Sequence, residues 1–250
     1  MTDENRHDVL IVGGGVSGLT AGIFTARANL DTLVVTHGES ILKRNAHLEN
    51  VPGFPAGVNS RLFLDMTRAQ AARNGCIFTD ERVIAIERDD EGFVVNTDEG
   101  ILKADRVIAA SWADSTYLEN LDVELDKRGS KQYIGTDDNG RTDESGLYAA
   151  GRLAAQYHQT VVAAGHGAQV ALTLIHDSDV PFYNDWVAPE GYFTERGREV
   201  PPGCEEISEA ERRRRESQSR ELMQSYFEEP HPDGPTMHPS VLAARAEEDE

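Results

Sequence analysis

Two residue types are scarce in this 250-residue chain, and each scarcity removes a class of function. There are two cysteines, Cys76 and Cys204, too few and too far apart for a disulfide framework or a zinc centre built on clustered ligand pairs. No metal site is expected. Lysine occurs four times, as Lys43, Lys103, Lys127 and Lys131, and 24 basic residues face 44 acidic ones, a formal net charge of −20. Such a surface repels phosphate backbones and anionic headgroups, which argues against nucleic-acid and membrane partners. An acid-rich, lysine-poor chain fits adaptation to high salt, where a Debye length of roughly 3 Å near molar salt would blunt the self-repulsion. The opening Met1-Thr2-Asp3-Glu4-Asn5 lacks the basic start and apolar run of a secretory signal, so a cytoplasmic location with reduced thiols is expected.

Long uncharged runs are also rare. Residues 153–176 contain no Asp, Glu, Lys or Arg. At about 1.5 Å per helical residue that is long enough for a bilayer. Gln156, His158, Gln159, His166 and Gln169 interrupt it, however, and it reads as a buried segment of a water-soluble fold. Hydrophobic residues make up 39% of the chain, and the dilution comes from its end: eight of the ten prolines fall in residues 181–250, together with 17 acidic and 8 basic residues. Two parts are therefore expected. Residues 1–178 form the folded domain, and residues 179–250 an acidic, proline-rich tail. Aromatic residues among its Pro and Gly suggest a strap lying on a surface, followed by a charged helix over 209–228, where Glu211 precedes Arg215 by four positions, and a disordered end over 246–250. Arg212 to Arg215 read as a solvated helical face.

The most informative pattern opens the chain. Residues 8–12 are a short β-branched apolar run, as in a strand buried on both faces, and they lead directly into Gly13-Gly14-Gly15-Val16-Ser17-Gly18. Residues 19–28 then read as a helix and 32–35 as a second buried strand. In this β-α-β context Gly13 permits a tight turn, Gly15 lets the backbone approach a pyrophosphate, and Gly18 lets helix and strand pack closely. The helix N-terminus presents unpaired N–H groups to the phosphates. An acidic residue to grip the ribose is absent at the end of the second strand, where Thr36 and His37 stand with Glu39 slightly beyond.

Downstream, Asn50-Val51-Pro52-Gly53-Phe54-Pro55 forms an extended loop before a helix over 61–74 that Gly75 ends. Strand-like runs at 82–87, 93–97 and 101–109 are joined by acidic Gly-containing turns suited to antiparallel hairpins. Residues 147–151 read as a strand ending at the ligand edge. Residues 159–175 read as a helix in which Gly165 and Gly167 would allow close approach to another backbone. The fold class is thus α/β: a single Rossmann-like dinucleotide-binding domain with a parallel sheet, an antiparallel β-meander insertion and an extended C-terminal tail.

Four separated motifs carry a family resemblance: Gly13-Gly14-Gly15-Val16-Ser17-Gly18-Leu19, residues 50–55, residues 146–151 and residues 157–167. On these the chain resembles the thioredoxin reductases, flavoproteins of the pyridine nucleotide-disulphide oxidoreductase family, over residues 7–176. The resemblance implies FAD as the cofactor, with NAD(P) as the alternative dinucleotide. It carries cofactor contact to Gly13, Gly14, Gly15, Val16, Ser17, Gly18, Thr36, His37, Gly151, Arg152, Tyr157, His158, Gln159 and Thr160. In that family an NADPH domain with a redox-active Cys-x-x-Cys is inserted where this chain has only residues 111–134, and no Cys-x-x-Cys occurs here. The route from NADPH through flavin to a disulfide is therefore not expected. Where the family has Ala-Thr-Gly this sequence reads Ala109-Ala110-Ser111-Trp112. Where the family places an Asp for the ribityl chain, Arg152 stands.

Arg has five donors and accepts no hydrogen bond, so it cannot replace that Asp. Either it faces solvent or pairs with an acid such as Asp143 or Glu144, or it turns toward the pyrophosphate. Among His47, His158 and His166, His158 is the best placed as an acid or base, because the resemblance sets its helix start near the flavin ring. Cys76 reads as a packing residue at a strand start. Three functions stay open: an FAD-dependent oxidoreductase taking electrons from an external donor or protein partner, a non-catalytic nucleotide-binding or regulatory descendant, and an NAD(P)-binding protein. A homodimer is left open as well.

Overall fold

The computed structural model describes residues 6–112, 114–129 and 131–248. The opening pentapeptide lies outside them. β1 (Arg6–Val12) carries the predicted apolar run and leads through the glycine turn into α1 (Val16–Arg27), then β2 (Thr32–Thr36). α2 (Ser60–Arg73) follows, capped by the Asn59 side chain, which accepts from the N–H groups of Arg61 and Leu62. β3 (Ile77–Asp80), β4 (Val83–Arg88), β5 (Phe93–Thr97) and β6 (Ile101–Ala109) come next. A short hairpin of β7 (Leu125–Arg128) and β8 (Lys131–Ile134) precedes β9 (Leu147–Ala149) and α3 (Thr160–His176).

One seven-stranded sheet has the order β3-β2-β1-β6-β5-β4, with β9 also on β6. β1, β2, β3, β6 and β9 run parallel, whereas β4, β5 and β6 form an antiparallel meander. β6 serves both parts. Its first residues pair with β5, from Asn96 opposite Ile101 to Phe93 opposite Ala104, and its last three pair with β9, from Val107 opposite Leu147 to Ala109 opposite Ala149.

Side-chain alternation explains why the central strands are apolar on both faces. Val9 and Ile11 of β1 face α1 and α3, where Ala21, Ile23, Val170 and Leu174 complete one core. Leu10 and Val12 face the opposite side and pack with Phe93, Val95, Leu118, Ile134 and Leu153. α1 and α3 touch closely: a Cβ on Gly167 would lie 2.2 Å from the Ser17 carbonyl oxygen. Gly165 has open space instead, so of the two glycines expected at a close approach only Gly167 makes one. A third cluster of Val16, Leu19, Leu42, Leu48, Val58 and Leu64 sits beneath the segment joining β2 to α2.

The tail is more ordered than its composition suggests. β10 (Trp186–Pro189) and β11 (Cys204–Ile207) pair in parallel, and Trp186, Tyr192 and Phe193 form an edge-on ring cluster beside them. Arg27 of α1 grips Asp185 with two hydrogen bonds of 2.5 and 2.6 Å, which ties this unit to the domain. α4 (Glu209–Tyr226) buries no residue and is laced by ion pairs, among them Glu211 with Arg215 at 2.7 Å. The chain then returns across the domain: Phe227 meets the Phe54 ring, His231 bonds Asp65 and the Thr236 N–H donates to the Lys43 carbonyl. α5 (Pro239–Glu248) includes residues 246–248, expected to be disordered, while 249 and 250 lie outside the described residues. Among the described residues, no helix is long and apolar enough to cross a membrane, and no cluster of three or more His, Cys, Asp or Glu is placed to hold a metal.

Candidate cofactor site

The C-terminal ends of the parallel strands open into one continuous cavity of about 830 Å³. That volume lies within the range of cofactor pockets, roughly 300 to 1,000 Å³. Its wall begins at the glycine turn. Gly13 has φ +115°, a conformation that side chains disfavour, and its N–H donates to the Val35 carbonyl at 2.8 Å, closing the turn against β2. A Cβ on Gly18 would lie 2.0 Å from the Gly13 carbonyl oxygen, so the start of α1 can lie against the turn only with glycine there. Gly15 differs from both. Its φ of −78° suits any residue, and a Cβ there would meet only the Ser40 hydroxyl at 3.7 Å. The space beside Gly15 belongs to the cavity.

Two helices begin on this cavity without side-chain caps. Gly15, which precedes α1, has no side chain to cap it, and the Gln159 side chain before α3 bonds no first-turn N–H. Two sets of unpaired N–H groups, with the positive ends of two helix dipoles, therefore face one space. Ser17, also on the wall, has a buried hydroxyl with no hydrogen-bond partner. These features fit an elongated ligand carrying anionic or carbonyl oxygens toward both helix starts, as a flavin dinucleotide does.

All the residues expected at the site are brought together except Gly18 and Gly151, which shape the wall from behind. Gly13 to Ser17, Thr36, His37, Arg152, Tyr157, His158, Gln159 and Thr160 line the cavity. Gly18 packs against Gly13 and Ile11, and a Cβ on Gly151 would meet the Ser17 side chain at 2.7 Å. The Gly151 N–H donates to Nδ1 of buried His166 at 2.9 Å, so that nitrogen carries no proton; burial pulls the His166 pKa down and keeps the ring neutral. Thr36 is committed elsewhere, its hydroxyl donating to the Thr79 carbonyl at 3.2 Å and its methyl group packing on Gly14.

Arg152 meets neither expected acid. Nη1 donates to the Gln156 carbonyl at 2.9 Å and Nη2 to the Tyr133 hydroxyl at 2.6 Å, while its buried Nε has no partner. Tyr133 comes from the β7–β8 hairpin, which sequence alone did not reveal. His158 lies edge-on to Trp112, with ring centroids 4.5 Å apart. Burial first, then the positive charges of Arg152 and Lys131, lower its pKa, leaving a neutral imidazole at neutral pH.

Four wall residues, Ser40, Lys43, Asp65 and Arg82, escaped the sequence reading and carry no local signal. Asn50 and Trp112, also on the wall, lie in motifs that the sequence shows, and Asn50 bonds Gln159 at 2.8 Å. Arg61 is equally hidden. It is 3% exposed, has no carboxylate partner among the described residues, and donates to the backbone carbonyls of Lys43, Asn45 and Ala46, fixing the segment that forms the cavity's far wall.

Fold and cavity together define an α/β protein with a Rossmann-type sheet and a cavity at the C-terminal ends of its parallel strands. Comparison with known proteins agrees: a family profile described as "FAD binding domain" matches residues 8–46, and one described as "Pyridine nucleotide-disulphide oxidoreductase" matches residues 64–167. Thioredoxin reductase of Treponema pallidum (strain Nichols) is 35% identical over 114 residues, 44% of this chain and 37% of the relative. That of Streptomyces coelicolor is 37% identical over 89 residues, 34% of this chain and 27% of the relative. The matches thus span well under two-thirds of these relatives. The crystal structure of T. acidophilum thioredoxin reductase superimposes with a TM-score of 0.65 at 17% identity, covering 70% of this chain and 99% of that one. A thioredoxin reductase from Gloeobacter violaceus gives 0.62 at 15%, covering 73% and 100%. The chain is thus similar to the thioredoxin reductases among the pyridine nucleotide-disulphide oxidoreductases, has the fold of their FAD domain, and carries two cysteines that form no Cys-x-x-Cys pair.

Proposed function

We propose that this protein is a cytoplasmic FAD-dependent oxidoreductase with one dinucleotide-binding domain, reduced by an external donor or a protein partner. The observation that carries the reading is the single cavity joining the glycine turn and the start of α1 to the start of α3. Gly14 and Gly15 with the first turn of α1 receive the pyrophosphate. Glu39 and Ser40, on the wall beyond Thr36, offer acceptors to the ribose in place of the missing acid. Asn50, Gln159 and the N–H groups that open α3 hold the other end. Bound flavin supplies hydride and electron transfer, which no side chain of the chain provides. His158, neutral and at the cavity mouth, takes up or returns a proton there. No dithiol takes part: both cysteines are free, and Cys76 is buried behind α1 with its thiol pushed up to about 11.

Purification in roughly molar salt, to screen the acidic surface, tests the reading. A yellow protein that releases FAD on denaturation supports it; a colourless, folded protein that gains no thermal stability from FAD rejects it. One observation favours the second reading, a nucleotide-binding regulatory protein without redox chemistry. Thr36 and Arg152, at two positions of family cofactor contact, are bonded to Thr79, Tyr133 and Gln156 of the chain itself. Stabilisation by ADP or NAD(P) but not by FAD is the outcome that reading predicts.

A further inference from the structure

The β7–β8 hairpin stands where the family carries a second domain, and it brings Lys131 and Tyr133 against Trp112 and Arg152, which with exposed His158 line the cavity. Lys131 Nζ lies over the Trp112 ring, 5.8 Å from its centroid, and the Trp112 and His158 rings form the edge-on pair described above. Arg152 stacks on Tyr133, 5.0 Å from that ring's centroid. Neither Lys131 nor Arg152 has a carboxylate partner among the described residues, although acids outnumber bases by 44 to 24 in the chain. Elsewhere Arg27, Arg128, Arg141, Arg212 and Arg215 each hold an Asp or Glu at 2.8 Å or less. Asp114, also on the wall, accepts the Thr116 N–H and hydroxyl at Oδ1.

Two uncompensated cations converging on an indole and a neutral imidazole favour a negative charge attached to a flat ring. The charge meets the Lys131 ammonium and the Arg152 guanidinium, and the ring meets the Trp112 and His158 faces. We propose that Trp112, Lys131, Arg152 and His158 form a second subsite at the cavity mouth, which takes a small planar carboxylate as substrate. This rests on the reading that the body of the cavity holds FAD, leaving the mouth to another molecule.

The chain has two tryptophans, Trp112 and Trp186. In a Trp186→Phe background, Trp112 fluorescence reports on this subsite alone. Benzoate, and benzamide as its uncharged isostere, are titrated into the full-length protein with and without added FAD, and FAD affinity is measured separately by calorimetry. Benzoate is expected to give a saturable change and benzamide to bind about tenfold more weakly or worse, the scale of one charge-assisted contact. Lys131→Gln, at an exposed position that leaves the fold intact, should weaken benzoate about tenfold and change FAD affinity less than twofold.

Equal binding of benzoate and benzamide overturns the proposal. So does a Lys131→Gln variant that loses FAD and benzoate together, since the cations would then serve the cofactor. A protein that binds FAD but gives no saturable response to benzoate overturns it too. If benzoate binds with the predicted charge dependence while FAD does not bind at all, the cofactor reading fails and the subsite stands.

Discussion

Asn50 Nδ2 donates a 2.8 Å hydrogen bond to Gln159 Oε1, joining the Pro-Gly-Pro loop to the start of α3 across 109 positions of sequence. Both residues are exposed on the cavity rim, and the bond sets the spacing between a loop wall and an uncapped helix start. Asn50→Ala should therefore loosen cofactor binding more than it loosens the fold. An exposed hydrogen bond contributes about 0.5 to 1.5 kcal/mol, so FAD affinity should fall roughly three- to tenfold with the melting temperature of the cofactor-free protein nearly unchanged. Calorimetric titration and thermal melts of the same samples check both halves.

Acid should weaken the domain through His166. Its folded pKa lies below the ordinary 6.5, because the ring is buried, and Nδ1 must stay unprotonated to accept from the Gly151 N–H. The unfolded chain thus binds the proton more readily, and the stabilisation is complete above pH 6.5 and lost as pH falls below it. Urea unfolding between pH 5 and pH 8 should show a steeper acid-side loss for the parent than for His166→Asn, in which this titration is removed. Parallel pH profiles would contradict the assignment.

Arg61 carries its charge into the protein interior, where its guanidinium donates to three backbone carbonyls and the Ser60 hydroxyl. Arg61→Met fills similar volume but strips donors from the Lys43, Asn45 and Ala46 carbonyls. The expected cost is about 1.5 to 3 kcal/mol of unfolding free energy, the scale of hydrogen bonds made by a charged group, since the Lys43 carbonyl keeps the Thr236 N–H and the Asn45 carbonyl keeps the Ser60 hydroxyl. Chemical denaturation measures it, and a change below about 1 kcal/mol would show that water replaces the guanidinium freely.

Much of this architecture was legible in the sequence, for identifiable reasons. The strands at 93–97 and 101–109 agree with β5 and β6 residue for residue, because the acidic Gly-containing turns at 89–92 and 98–100 mark where each begins. The glycine turn declared itself through spacing. β3 did not, since Ile77–Asp80 is a short strand with no fully buried residue, held at the sheet edge by β2. The β7–β8 hairpin was equally silent: Leu125-Asp126-Lys127-Arg128 is mostly charged and pairs through its backbone. Because the hairpin was unseen, the Tyr133 partner of Arg152 was unseen too, and the choice considered for Arg152 omitted the contacts it makes. Arg61 shows the same limit, as an arginine bonded to distant carbonyls has no local pattern.

Cys76 offers a check on the absence of thiol chemistry. Burial pushes its thiol up from 9.0 to about 11, so at pH 8 it should remain protonated and closed to reagents. Titration of the native protein with a thiol-specific chromogenic reagent should give one slowly or rapidly reacting group, Cys204. Cys76→Ser should leave that signal unchanged, and a halved signal would place Cys76 in contact with solvent.

The account stands or falls on FAD entering the cavity beside Gly15. That residue has ordinary extended φ and ψ, and free space where a side chain would go, so Gly15→Val should fold and melt like the parent. Gly18→Ala, with its Cβ 2.0 Å from the Gly13 oxygen, should instead destabilise the turn itself. The decisive measurement is calorimetric titration of FAD into flavin-free parent and Gly15→Val protein in high salt. The account predicts one FAD bound by the parent and a loss of about a hundredfold or more in the variant, roughly 2.7 kcal/mol, with no change in melting temperature. Equal FAD affinity in the two proteins, or no FAD binding by a folded parent, would contradict it.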